Sequence, residues 1–359
     1  MGFWTATIEK VDKTVLASCT TMGASTLTLP LNAPSEFQTS FHTSGLDASA
    51  IFTQLQTGAV FIRLRENGTT RFWGQMSDAQ VQIEDDATVS ATFQDVTGPL
   101  AGVQTRRPIS FGSSSVVSGW PYYFNTNQST IVNKLFAIRS GSTGDTEHYG
   151  PLVQPVRSGS VTSIRKLSPD TATVLEVLQG MSELANGTEW YASPVGASDE
   201  TVYIASQMGT DKTSTVVLQN QANTLANVMS ITSQYLPPRN IIWVRDDQNR
   251  IKRIGYDAAS VDAYGEYSTV IQKVTRWSQT DQDVSDAQLR SDWRQILDLK
   301  LEPTVSPRPW TDFYLGDTLK IDLSRDGWSY SGSQRVNTIT FDFDEQLVES
   351  SIGTQFEVI

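Results

Sequence analysis

The stretch VFIRLRENGTTRFWGQM, residues 60–76, decides the fold. Val60, Ile62 and Leu64 alternate with Phe61, Arg63 and Arg65, the period of two that a half-buried strand requires. Asn67-Gly68 follows, a pair that tolerates the positive φ angles of a tight turn, and Arg71-Phe72-Trp73 begins the return strand. Near the other end of the chain Leu319-x-Ile321-x-Leu323-x-x-Asp326-Gly327 has the spacing of Val60-x-Ile62-x-Leu64-x-x-Asn67-Gly68. An Arg-apolar step follows in each, Arg71-Phe72 and Arg335-Val336. Then come a longer alternating strand, an acidic turn (Asp85-Asp86; Asp344-Glu345) and another strand. Alternating strands with such turns are common, so the match alone leaves coincidence and duplication both open.

Working outward, residues 1–105 read as short strands punctuated by Asn, Asp and Gly, the pattern of a barrel or sandwich, with one or two helical turns around Ile51, Phe52 and Leu55. Past QTRRP the period changes. Ile131, Val132, Leu135, Phe136 and Ile138 fall at helical spacing behind Asn127 or Ser129 as cap. The clearest helix is SPDTATVLEVLQGMSELANG, with Ser168 as cap, Pro169 at its first position, an apolar stripe of Val174, Leu175, Leu178, Met181, Leu184 and Ala185, and Asn186-Gly187 at its end. A third helix is expected in NQANTLANVMSIT. Beyond it NIIWVRDDQNRIKRIGYD reads as a hairpin turning at Asp246–Asn249, and Pro303, Pro307 and Pro309 mark a linker into the final β region.

At 359 residues the chain exceeds what one core usually holds, which points to two to four domains. Lys+Arg 27 against Asp+Glu 39 gives 27 − 39 = −12, and Arg106-Arg107 is an isolated basic pair, so the basic stripe of a nucleic-acid reader is missing. A single cysteine, Cys19, excludes an intrachain disulfide framework, and two histidines, His42 and His148, leave little for metal chemistry. The first residues lack the pattern of a secretory signal, and the longest apolar runs are too short to span a bilayer. No phosphate-cradling loop, HExxH or Cys/His cluster occurs, so no cofactor, metal or catalytic residue is assigned. GWSYSG at 327–332 misses the spacing of a nucleophile elbow. Glu189 beside Trp190 is the best carboxylate for glycoside chemistry, yet NGTEWYASP reads more naturally as a strand with Trp190 and Tyr191 packed on opposite sides. DDQN at 246–249 lacks the Gly and Glu of a calcium loop and reads as a turn.

Taken in order, LNAPSEFQTSFH, GAVFIRLRENGTTRFWGQM, TATVLEVLQGMSELANGTEWYASP, LANVMSI and LGDTLKIDL…SQRVNTITFDFDEQLVESSIGTQFEV cover nearly the whole chain. This succession resembles the tail-tip, or baseplate, hub proteins of long-tailed bacteriophages. The resemblance implies a mainly β fold with an α/β insert and two tube-type β-barrel domains: a first barrel at 1–105, the insert at 106–215, then a mixed segment and second barrel at 216–359. It implies a non-enzymatic virion protein at the tail tip, a homotrimer whose paired domains join a six-fold tail tube to a three-fold tip or fibre. Its partners would be a distal-tail or tail-tube ring protein and a tip or fibre protein, with DNA passing through without specific binding. A host-surface glycan-binding or glycan-cleaving tail protein is the alternative. The acidic balance either lines a DNA exit channel or simply keeps the chain soluble.

Aromatic residues supply the interface candidates. Trp120, Tyr122, Tyr123 and Phe124 crowd the loop-like GWPYYFN, where they either form a contact surface or cover the junction of barrel and insert. Trp73, Trp328 and Tyr330 beside the repeated turns are expected to pack first and to touch another subunit second.

Overall fold

The computed structural model describes residues 3–19, 22–42, 51, 53–54, 56, 59–82, 88–102, 124–132, 156–158, 164–167, 173–183, 187–195, 199–220, 227–245, 249–272, 285–286 and 288–357. The chain is mainly β. Its first strands are β1 (Trp4–Glu9), β2 (Val15–Cys19), β3 (Ser25–Pro30), β4 (Glu36–His42), β5 (Phe61–Glu66), β6 (Thr69–Gln82) and β7 (Thr88–Gln94). An α/β portion follows with β8 (Phe124–Asn127), β9 (Val156–Ser158), β10 (Ile164–Leu167), α1 (Val174–Ser182), β11 (Glu189–Val195) and β12 (Asp199–Ala205). The last part contains β13 (Val217–Gln219), β14 (Val228–Leu236), β15 (Ile241–Arg245), β16 (Ile251–Tyr256), α2 (Ala258–Tyr264), β17 (Ser268–Gln272), β18 (Arg294–Leu301), β19 (Thr318–Arg325), β20 (Trp328–Phe343) and β21 (Glu349–Glu357).

Both sequence hairpins form, and by the same means. Asn67 and Gly68 have φ of 49° and 80°, and Asp326 and Gly327 have 50° and 85°, so each two-residue turn carries positive φ at both central positions. That geometry matches the right-handed twist of the flanking strands. Across the first hairpin Ile62 faces Gly74, and across the second Ile321 faces Gly332. A ring two residues earlier folds over each glycine. A Cβ on Gly74 would meet Phe72 Cζ at 2.4 Å, and one on Gly332 would meet the Tyr330 hydroxyl at 2.7 Å. An aromatic ring laid over a strand glycine restores the packing that the missing side chain forfeits. Counted from the turn Phe72 takes the place of Tyr330, but the second hairpin is longer between its turn and its base, where Met76 N donates to Val60 O and Val336 N to Asp317 O. The two Arg-apolar steps are not equivalent: Arg71 is the bulged residue between Thr70 and Phe72 near its turn, whereas Arg335 pairs with Thr318 at the base of its hairpin.

The likeness extends well past the hairpins. Neighbouring strands run β3-β4-β7-β6-β5-β1 in one set and β14-β18-β21-β20-β19-β13 in the other. The long strands are bulged at matching points, Met76/Asp78 in β6 and Val336/Thr338 in β20, with Phe93 and Phe356 opposite. Those phenylalanines pair onward with Phe37 and Leu297. The sets differ at one end, where β1 runs antiparallel to β5 but β13 runs parallel to β19. They are welded into one sheet by β20 and β3, which pair antiparallel from Thr338↔Pro30 to Phe343↔Ser25. Among the described residues the pairings do not close either set into a ring.

One apolar core runs through both sets and includes Ile8, Leu27, Phe37, Ile62, Leu64, Phe93, Leu297, Ile321, Leu323, Phe341 and Phe356. A second core covers the other face of the first hairpin. There Phe61 and Trp73 meet Leu100, Ile131, Val132, Val177, Leu178, Met181, Trp190 and Ile204. Helix α1 starts at Val174, later than the Ser168 cap had implied. Its N-cap is Thr173, whose side chain accepts from Glu176 N while the Glu176 carboxylate accepts from Thr173 N. Its buried face of Val174, Val177, Leu178 and Met181 contributes about 2 kcal/mol per side chain to holding the insert on the hairpin.

Ile51 lies in the main core on helical backbone, and Asn127 caps the short helical run 128–132 by accepting from Thr130 N at 2.8 Å. Leu135, Phe136, Ile138, Leu184 and Ala185 lie outside the described residues. The third helix is a correction: Val228–Leu236 is strand β14. Leu297, Leu299 and Leu301 of β18 pair with it, and this long-range pairing overrides the local helical spacing. Residues 221–226 lie outside the described set.

The two covered glycines separate tight packing from loose packing. A Cβ at Gly74 would also lie 2.8 Å from the Gln94 backbone oxygen, whereas at Gly332 the nearest atoms are those of the Tyr330 side chain. Gly74→Ala is expected to cost about 2–3 kcal/mol in urea denaturation, and Gly332→Ala about 1 kcal/mol or less.

Candidate functional site: open strand edges beside a welded junction

The joint between the two sets shows what an occupied edge looks like. Residues Thr338–Phe343 of β20 hold β21 on one side and β3 on the other, and Ile339, Phe341 and Phe343 are buried. The corresponding half of β6 holds only β7 among the described residues, and Ser77, Asp78, Ala79 and Gln80 are exposed. Strand β14, the counterpart of β3, likewise pairs only with β18 and exposes Met229 and Tyr235. A groove of about 370 Å³ lies beside it, lined by Ser230, Ile231, Ser233, Arg325, Asp326 and Trp328. At the far end of the sheet β2 pairs only with β1 among the described residues, with Val15 exposed. Unpaired edges are templates for strand addition.

Behind the joint, charged and aromatic side chains lock the two sets together. The Trp4 indole N–H donates to Glu349 at 2.7 Å, and Arg308 donates to both Glu349 oxygens at 2.9 and 2.6 Å. Glu66 at the end of β5 accepts from Arg71 at 2.9 Å and stands 3.6 Å from Arg308. Arg71 lies 4.5 Å over the Trp310 ring, which stacks on Phe341 at 4.6 Å. Burial pushes the Glu349 carboxyl above its ordinary range, opposed by the Trp4 hydrogen bond and the Arg308 charge.

Glu189 is engaged structurally. Arg335 grips both of its oxygens, and Met208 N donates to it at 2.5 Å, so β11 is tied to β20. Trp190 faces the second core and Tyr191 packs toward the first, as the strand reading of NGTEWYASP requires. Burial pushes the Tyr191 hydroxyl up to about 12, reinforced by Tyr203, Tyr314 and Asp317. Tyr191, Tyr203, Trp310 and Tyr314 wall a pocket of about 160 Å³ beside the first hairpin, with Thr69, Thr70 and Ser193. No carboxylate is among its lining residues, so it offers no acid–base pair for glycoside cleavage.

Of the aromatic interface candidates, Trp73 is 1% exposed and stacked on Phe61 at 4.8 Å, which commits it to packing within the chain. Tyr330 covers Gly332 and accepts from Gln334 at 2.8 Å. Trp328 packs on the main core and also lines the groove along β14. Trp120, Tyr122 and Tyr123 lie outside the described residues, as do Arg106, Arg107 and His148. Phe124 begins β8, where it pairs with Leu167. Cys19 is buried, and burial pushes its thiol up to about 12. Sequence reasoning missed the open edges of β6 and β14, although the matching spacing of Val60, Ile62, Leu64 and Asn67-Gly68 with Leu319, Ile321, Leu323 and Asp326-Gly327 carried a signal for the shared strand order.

Solved structures share this fold over almost the entire chain. A tail protein from Neisseria meningitidis MC58 aligns with a TM-score of 0.61 at 8% identity, over 99% of this chain and 96% of that one. The 43 kDa tail protein of prophage MuSo2 from Shewanella oneidensis gives 0.57 at 12% identity, over 100% and 97%. The prophage tail protein gp18 from Listeria monocytogenes EGD-e gives 0.54 at 7% identity, over 99% and 94%. The fold is thus one found in phage tail proteins. No protein-family profile and no curated protein matches the sequence.

Removing the cation of the junction leaves a buried carboxylate. Arg308→Met is expected to destabilise the chain by about 3 kcal/mol near pH 8 in urea titrations. Without its cation Glu349 moves still further above the usual glutamate range, so the folded state takes up a proton more readily than the unfolded one. Stability of the variant then rises as pH falls, and the deficit shrinks at pH 5.

Proposed function

We propose that this protein is a structural component of a phage tail, and specifically a trimeric hub at the tail tip that joins the six-fold tube to a three-fold tip or fibre. The observation that carries the reading is the repeated strand order, β3-β4-β7-β6-β5-β1 and β14-β18-β21-β20-β19-β13, within one welded sheet. A chain with two equivalent sectors offers six similar sectors from three copies, which lets a three-fold body sit on a six-fold one. The whole-length likeness to tail proteins of Neisseria, Shewanella and Listeria supports the tail setting. Its partners would be a distal-tail or tail-tube ring protein above and a tip or fibre protein below. DNA would pass along the ring axis unheld, in keeping with the net charge of −12. No enzymatic step is assigned, because Glu189 is bound to Arg335 and the aromatic pocket lacks carboxylates.

Sedimentation equilibrium or native mass spectrometry tests the stoichiometry. The expected mass is about three times the 39.6 kDa chain. A species that stays at one chain mass across the micromolar range would contradict the hub.

A further inference from the structure

We infer that copies of this chain join through a direct antiparallel pairing of β6 in one copy with β14 in the next, in a register that the chain's own internal joint specifies. The inference rests on the hub reading and names the surface through which that assembly forms. Its starting point is the β20–β3 joint, where Ile339 faces Leu29, Thr340 faces Thr28 and Phe341 faces Leu27.

Each of these positions has a counterpart in the other set. The bulges place Met76 with Val336, since each stands opposite a phenylalanine, Phe93 or Phe356, and each is followed by the skipped residue. Ala79, Gln80 and Val81 then correspond to Ile339, Thr340 and Phe341. On the other side Phe37 corresponds to Leu297, because both pair with those same phenylalanines. Leu27 faces Phe37 and Ser233 faces Leu297, so Thr28 and Leu29 correspond to Gln234 and Tyr235. Carrying the joint across gives the pairs Ala79–Tyr235, Gln80–Gln234 and Val81–Ser233.

Both strands are ready for this contact. The edge of β6 opposite β7 and the edge of β14 opposite β18 have no strand partner among the described residues. Ala79 and Gln80 are exposed, and Tyr235 is 55% exposed. The sizes are complementary: a small Ala79 faces a large Tyr235, where the internal joint sets Ile339 against Leu29. The contact is also directional. β6 belongs to one set and β14 to the other, so each copy gives one edge and receives the other, the head-to-tail arrangement that closes into a ring. Backbone pairing supplies the attraction, and the side chains fix the register.

The test is a disulfide trap in the full chain. Directly opposed residues of an antiparallel pair lie within the Cα separation that a disulfide spans. In the Ala79→Cys, Tyr235→Cys double variant, mild oxidation is expected to link chains into a covalent trimer on non-reducing gels. Either single variant stays at one chain mass, and the buried Cys19 stays out of the reaction. Ala79→Cys, Met229→Cys moves the second thiol along β14 and is expected to cross-link at least tenfold more slowly. A wild-type trimer whose Ala79→Cys, Tyr235→Cys variant is folded by circular dichroism yet fails to cross-link would overturn this pairing while leaving the hub reading standing. A monomer with no cross-link removes both. Equal cross-linking at positions 229 and 235 would also overturn the register.

Discussion

Every backbone N–H and C=O in a buried strand needs a partner, and in this protein that demand falls hardest on β20. Its first half takes β19, and its second half takes β21 on one edge and β3 on the other. Because β3 belongs to the first strand set, satisfying β20 joins the two sets, and their apolar faces merge into one core from Ile8 to Phe356. Among the described residues the outer half of β6 and the edge of β14 away from β18 carry no second strand. A single chain contains one completed joint, and in the proposed assembly β6 and β14 would be the two halves of another.

The two sets share an inner face and differ outside. On the first hairpin Phe61 and Trp73 are covered by α1, β11 and β12, and Arg63 is buried against Glu9 at 2.9 Å. The matching face of the second hairpin presents Lys320, Ser324, Ser329, Ser331 and Ser333 to solvent. Cladding one copy and leaving the other bare makes the outer faces of the two hairpins unlike. A three-fold arrangement of such chains would be six-fold within and three-fold without, the property a connector between a tube and a fibre requires.

Much of the inner face was legible in sequence, because period two, Asn-Gly and Asp-Gly turns and buried Val/Ile/Leu positions are local signals. Ile62, Leu64, Ile321 and Leu323 all point into the core. The joining interactions were not legible, since they depend on contacts far apart in sequence. Trp4 meets Glu349, Arg335 meets Glu189, and β14 is a strand only because β18 lies beside it. The two Arg-apolar steps show the limit within a hairpin: Arg71 is a bulged residue beside its turn and Arg335 lies at the base of its hairpin, and composition reveals neither place. The start of α1 at Val174 rests on the capping box of Thr173 with Glu176 next to the apolar stripe, and Ser168 and Pro169 lie outside the described residues.

The most direct measurement is a cryo-electron microscopy reconstruction of the assembled particle. The hairpins turning at Asn67-Gly68 and Asp326-Gly327 should sit at the same radius, related by a rotation of about 60° around a common axis, with β6 of each chain beside β14 of its neighbour. Hairpins at different radii, or a single strand set facing the axis, would contradict the claim that one chain supplies two equivalent sectors of the ring.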